Sequence, residues 1–124
     1  MQTKHALLSC LVGVLFAALT GCGDKQVDRA LDTDANGYVC QKCSTKFYTE
    51  RSVFAGHCPQ CKVPNIEPVI GFVCATDQHV TLAGRGRGVH ACERCGKSTS
   101  AFSRPREADL KSWGAAKKSD AEVN

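Results

Sequence analysis

The chain has 124 residues, a formal net charge of +4 and nine cysteines, but only one Trp, two Tyr and five Phe. That inventory excludes a large hydrocarbon core, and domains so poor in bulky apolar residues are held together by disulfides or metal. The charge excess suits weak contact with anionic surfaces and does not identify a nucleic-acid binder.

Lys4 and His5 form a short basic start. Residues 6–21, ALLSCLVGVLFAALTG, are 16 apolar or small residues. A membrane-spanning helix needs about 20, so the run fits the apolar region of a signal peptide. It ends in Leu19-Thr20-Gly21-Cys22. This order resembles the lipobox of bacterial lipoproteins. The resemblance implies cleavage before Cys22 and acylation of its thiol, with palmitate-like chains. It also implies a mature protein lipid-anchored to a membrane of the cell envelope and facing outside the cytoplasm. Several acyl chains, at about 0.8 kcal/mol per buried CH₂, give lasting attachment. An ordinary cleaved secretory signal and an uncleaved anchor are the alternatives. On the lipoprotein reading residues 1–21 are the signal peptide, Cys10 leaves with it, and Cys22 carries lipid. Residues 22–36 are then the lipidated Cys and a polar tether. Loss of residues 1–21 removes one Lys and no acid, leaving a charge of +3.

The first folded unit is expected over residues 37–70. Cys40-Gln41-Lys42-Cys43 and Cys58-Pro59-Gln60-Cys61 are separated by 14 residues. Two C-x2-C pairs at this interval point to a tetrahedral four-cysteine metal site, because each tight turn aims two thiolates into one concavity. Between them Thr45–Thr49 and Ser52–Ala55 alternate and are rich in β-formers, which predicts two strands about a turn at Glu50-Arg51. The pattern resembles the zinc-ribbon family, which implies Zn²⁺ held by Cys40, Cys43, Cys58 and Cys61. Ser44 and Lys62 stand where such knuckles often carry Gly, the residue best suited to left-handed backbone. The stretch from Tyr38 to Cys43, with Cys58-Pro59-Gln60-Cys61-Lys62-Val63-Pro64, is also similar to rubredoxin-like domains. That resemblance implies one iron and electron transfer, so the metal stays open between zinc and iron.

A second unit is expected over residues 71–97. A shift of 34 residues aligns 37–63 with 71–97 without a gap, with six identities: Gly, Val, Cys, Arg and the two cysteines of the later pair. Cys74, Cys92 and Cys95 repeat three of the four ligands, while Asp77 falls on the position of Cys43. The fourth ligand is expected from His79 first, then Asp77, then His90. A hairpin of His79–Ala83 with Val89–Cys92 about the turn Gly84–Gly88 would set His79 opposite Glu93 beside the knuckle, and His90 opposite Leu82. His57 and His90 are expected as solvated polar positions. Apart from Cys10 and Cys22, seven cysteines remain. Seven cannot pair off within one chain, and four plus three suits two metal sites. A disulfide scaffold with one odd thiol is the alternative for a protein outside the cytoplasm.

Gly84-Arg85-Gly86-Arg87-Gly88 is expected to be a solvated turn, with lipid headgroups the first choice of anion if it binds one. No aromatic residue lies nearby to stack a base, so nucleic acid is not an expected partner. Residues 98–124 read as a polar tail, partly disordered, with the last six residues loose. Within it Glu107–Lys118 predicts a short helix that packs Leu110 and Trp113 on a ribbon. Motifs for nucleophilic, zinc-protease, phosphate-loop or haem chemistry are absent from the sequence. The expected fold class is a small metal-stabilised β protein of two tandem zinc-ribbon-like hairpin-and-knuckle units, with little helix beyond the signal peptide and the short C-terminal helix. The expected function is a membrane-anchored zinc-binding module for structure or protein interaction, not an enzyme. Iron electron transfer, and metal sensing or storage, are the alternatives.

Overall fold

The structure is a computed structural model that describes residues 32–124. The expected signal peptide, Cys10, Cys22 and most of the expected tether lie outside the described residues. The protein is a small, sheet-dominated fold with six strands and two short α-helices among the described residues.

Strand β1, Ala35–Cys40, pairs antiparallel with β2, Lys46–Glu50, in a register that sets Tyr38 against Phe47. The strand β3, Ile66–Cys74, is nine residues long. Its first residues pair with β1, Tyr38 against Pro68 and Cys40 against Ile66. Its later residues pair with β4, Val80–Gly84, along one edge and with β5, Thr99–Ser103, along the other. The order is therefore β4-β3-β1-β2-β6, with β5 also on β3. The two-residue β6, Ala116–Lys117, runs parallel to β2. One apolar strand thus serves both halves of the repeat. Its run of Val69, Ile70, Phe72 and Val73 places apolar side chains on both faces, as suits a strand at least partly covered on each side.

Two strand expectations are corrected. Thr45–Thr49 is realised as β2, but Ser52–Ala55 is not a strand. The Asn36 side-chain amide donates to the carbonyls of Glu50, Arg51 and Val53 at 3.2, 2.9 and 3.0 Å. The Thr49 hydroxyl also donates to Val53 at 2.5 Å, and the Ala55 N–H donates to the Tyr38 hydroxyl at 3.3 Å. Side chains satisfy these backbone groups, so a ladder is not needed there. The hairpin of His79–Ala83 with Val89–Cys92 does not form either. The segment 80–84 joins the apolar strand β3 instead, and Arg85–Arg87 is a 3-10 turn.

The C-terminal residues are a further correction. They do not trail as a polar tail. Helix α1, Glu107–Ser112, is shorter than the sequence predicts but buries Leu110 completely against Ala35, Tyr48, Val69 and Ala115. Trp113 packs on that cluster as expected, with the Lys46 ammonium 4.2 Å from its ring. Helix α2, Asp120–Val123, buries Val123 fully in a cluster with Tyr38 and Phe47, whose rings stack at 5.3 Å. The Val123 carbonyl accepts from the N–H groups of Gly56 and His57, each at 3.0 Å. Asn124 reaches the Phe54 carbonyl at 3.0 Å. A single valine docks a segment whose composition is otherwise polar. At the other end Thr33, assigned by sequence to the tether, is buried and donates to the Pro105 carbonyl at 2.7 Å.

Candidate metal centres

One turn recurs four times. In each, the N–H of the first ligand residue donates to the carbonyl five residues on: Cys40 to Thr45 at 3.0 Å, Cys58 to Val63 at 2.8 Å, Cys74 to His79 at 2.9 Å and Cys92 to Lys97 at 2.8 Å. The carbonyl of the same residue accepts from the N–H four residues on, from Ser44, Lys62, Gln78 and Gly96 at 2.8–3.1 Å. That fourth residue is left-handed each time, with φ of 60°, 57°, 60° and 72°. Three of the four turns therefore hold a side chain in backbone that costs about 1–2 kcal/mol outside glycine. The hydrogen-bonded turn outweighs the absent glycines at Ser44 and Lys62.

The first two turns face each other. The sulfurs of Cys40, Cys43, Cys58 and Cys61 all lie within 4.8 Å of one another. Cys40 Sγ is 3.6 Å from Cys61 Sγ, and Cys43 Sγ is 3.6 Å from Cys58 Sγ. Four sulfurs about 2.3 Å from one tetrahedral ion stand about 3.8 Å apart, whereas a disulfide bond is about 2.0 Å. The spacing is that of a metal site, and all seven described cysteines are free thiols. Cys40 and Cys58 are buried at the strand side, while Cys43 is exposed at the rim.

The electrostatics also fit a cation. The Thr45 hydroxyl, at 3.0 Å, and the Thr45 N–H hold the Cys43 thiol down to about 6. The Val63 N–H favours the Cys61 thiolate, but burial and the three neighbouring sulfurs outweigh it and push that thiol up to about 12. Crowded thiols cannot all ionise together, so they titrate apart unless a cation balances them. A bound dication supplies that balance.

The second pair of turns gathers Cys74, Asp77, Cys92 and Cys95, with ligand atoms within the same 4.8 Å. Cys74 Sγ is 3.5 Å from Cys95 Sγ, and Cys92 Sγ is 3.8 Å from Asp77 Oδ1. The His79 N–H donates to Asp77 Oδ1 at 3.0 Å and, followed by the Cys74 thiol, holds the carboxyl below its usual range. Asp77 is thus ionised and aimed inward. The Glu93 N–H donates to the buried Thr81 hydroxyl at 3.1 Å, which ties this knuckle to β4.

His79, the first choice of ligand from sequence, is outside the cluster. In this turn the fifth residue bends its carbonyl back to the first ligand, so His79 is the counterpart of Thr45, Val63 and Lys97. Its ring Nε2 lies 2.7 Å from Glu93 Oε1. The expected closeness of His79 and Glu93 therefore arises without the expected hairpin. His90 also lies outside the cluster: its ring packs on Phe72 at 4.6 Å, and its Nε2 is buried with no hydrogen-bond partner among the described residues. His57 engages Val123 through its backbone. The signal for Asp77 was its alignment with Cys43 at the 34-residue shift. Compared with known protein families, curated proteins and solved structures, the chain matches none.

Proposed function

We propose that this chain is a membrane-anchored zinc-binding lipoprotein of the cell envelope, a structural and protein-interaction module without catalysis. The observation that carries the reading is the fourfold repetition of one knuckle, which assembles a four-thiolate set and a three-thiolate-plus-carboxylate set. Zn²⁺ accepts both donor sets in a tetrahedron, because its filled d shell imposes no other geometry. Rubredoxin-like iron would use four thiolates, and Asp77 in the second set favours zinc. Four protein ligands close a site to substrate and suit a structural role. The anchor rests on the lipobox at Cys22. Its tether leads to a fold whose described part begins at Asp32.

The test is metal analysis and free-thiol counting on protein purified from its native compartment. Two zinc ions per chain and no disulfide support the reading. A coloured, iron-loaded protein supports electron transfer instead. Rapid metal exchange with the fold intact supports sensing or storage. A well-ordered, metal-free protein with bridged thiols overturns all three. For the anchor, Cys22→Ser should release the protein from the membrane fraction.

A further inference from the structure

Three of the four large apolar side chains most exposed among the described residues lie along one groove. Phe54 is 71% exposed, Val89 70% and Phe102 63%. The groove consists of two adjoining hollows of about 470 and 170 Å³ that share Ile70, Arg85 and Arg104. Phe54 lines one hollow, and Phe102 and Val89 line the other. Phe102 is fixed edge-on against the buried Phe72, with ring centroids 5.4 Å apart. The two arginines stand at the junction. Neither makes a hydrogen bond or ion pair among the described residues, and neither hollow is lined by Asp or Glu. Beside the larger hollow, β5 pairs with β3 alone. Its outer edge has no strand partner among the described residues, and Ser100, Ala101 and Phe102 are exposed in succession.

We infer that this groove docks an extended segment of a partner protein with an acidic residue between two apolar ones at alternate positions. The inference rests on the interaction-module reading and adds the chemistry of the partner. Side chains at positions i, i+2 and i+4 of an extended chain share one face. They match an apolar hollow, a pair of unneutralised guanidiniums and a second apolar hollow. Exposed aromatics beside Arg are the residue types that dominate interface energies, and a free strand edge offers backbone hydrogen bonds to an added strand. A lipid surface fits less well, since it fills no concavity and pairs with no strand edge.

The experiment uses the full chain in phosphatidylcholine nanodiscs and fluorescent nine-residue peptides with Leu, Glu and Leu at alternate central positions. The control peptides carry Lys for Glu. The acidic peptide should bind at least about tenfold more tightly than the control, as for a charge-complementary interface. The double change Arg85→Glu and Arg104→Glu should reverse that preference, and Phe102→Ser should weaken both interactions. All these side chains are exposed, so zinc content should not change, and only Phe102→Ser, which gives up the contact with Phe72, should lower the melting temperature slightly. Equal or absent binding of the two peptides overturns the proposal. So does binding to phosphatidylglycerol vesicles through Phe102 when neither peptide binds. Zinc content separates the two readings. A two-zinc chain indifferent to both peptides loses the groove and keeps the metal module. A metal-free chain that prefers the acidic peptide does the reverse.

Discussion

The backbone N–H of His79 donates to Oδ1 of Asp77 at 3.0 Å, while the His79 ring faces Glu93 at 2.7 Å. The imidazole is thus engaged outside the cluster, and the backbone of the same residue braces the carboxylate within it. Asp77→Ala should therefore remove a direct ligand. Loss of a supporting group beside a metal typically costs about 10–100-fold in affinity, and loss of Asp77 should exceed that. His79→Ala keeps the N–H and should fall at or below the lower end. Asp77→Cys should restore or tighten binding by completing a thiolate set. Chelator competition on the three variants checks the order. A larger loss for His79→Ala than for Asp77→Ala would reinstate the imidazole as ligand.

The left-handed residues give a second test. Lys62 has φ of 57° and Gly96 φ of 72° in equivalent turns, and a Cβ on Gly96 would meet nothing within 4 Å. Backbone strain is the main difference between the two positions, since the one hydrogen bond of the Lys62 side chain is a long, exposed one from Nζ to the Glu122 carbonyl at 3.4 Å. Lys62→Gly should stabilise the metal-loaded protein by up to about 1 kcal/mol, and Gly96→Ala should destabilise it by about the same amount. Urea melts at constant free zinc measure both. A loss from Lys62→Gly would mean that the lysine side chain contributes more than its backbone costs.

Val123 is fully buried against Tyr38 and Phe47, although it lies one residue from the C-terminus. Two methyl groups removed by Val123→Ala, plus the cavity left behind, should cost about 2 kcal/mol. Asp120→Ala, on an exposed position of the same helix, should cost well under 1 kcal/mol. Equal effects, read from thermal or urea melts, would mean that the helix and not the valine docks this segment.

The pattern of success and failure in the sequence follows the range of each interaction. The knuckles were legible because their geometry is local: two ligands, one turn and a fixed interval. Asp77 is visible in register with Cys43, and the place in the knuckle decides which side chain enters the concavity, whereas His79, the first expected ligand, sits one step beyond the turn. Strand β3 illustrates the opposite case. An unbroken apolar run identifies a buried strand but not its neighbours, so its pairing with β1, β4 and β5 was hidden. Likewise Ser52–Ala55 has strand-like alternation, yet the Asn36 amide, 17 residues before Val53, takes the Val53 carbonyl together with those of Glu50 and Arg51 just ahead of the segment. Val123 carried no periodic signal, since one apolar residue in a polar run makes no pattern.

Glu122 gives a pH test. The Ser119 N–H at 2.8 Å, the Lys118 ammonium at 2.9 Å and the Ser119 hydroxyl at 3.0 Å hold its carboxyl down to about 2. The folded value lies below the ordinary 4.5. The carboxylate's contribution to stability is therefore full above about 4.5 and is lost as pH falls from there through about 2. Glu122→Gln should be less stable than the natural chain at pH 7, and the gap should narrow below the ordinary carboxylate range. Urea melts of the two proteins from pH 7 to pH 3 supply the comparison, with metal release common to both. A gap independent of pH would show that the ionised form makes no special contact.

One strand connects the two candidate metal centres. Cys40 ends β1 and pairs with Ile66, the first residue of β3; Cys74, a ligand of the second centre, is the last residue of that same strand. Cys43→Ser should release the first metal and loosen the knuckles around it. If β3 depends on β1 for its alignment, the second centre must feel the change, because β4 and β5 are both positioned by β3. The second metal should then bind more weakly by a coupling of about 1–2 kcal/mol, and Cys95→Ser should weaken the first by the same amount, since linkage is reciprocal. Competition with a zinc chelator gives each affinity in each variant. Identical second-site affinities in the natural chain and in Cys43→Ser would mean that the two units hold their metals independently and that β3 keeps its shape without its first partner.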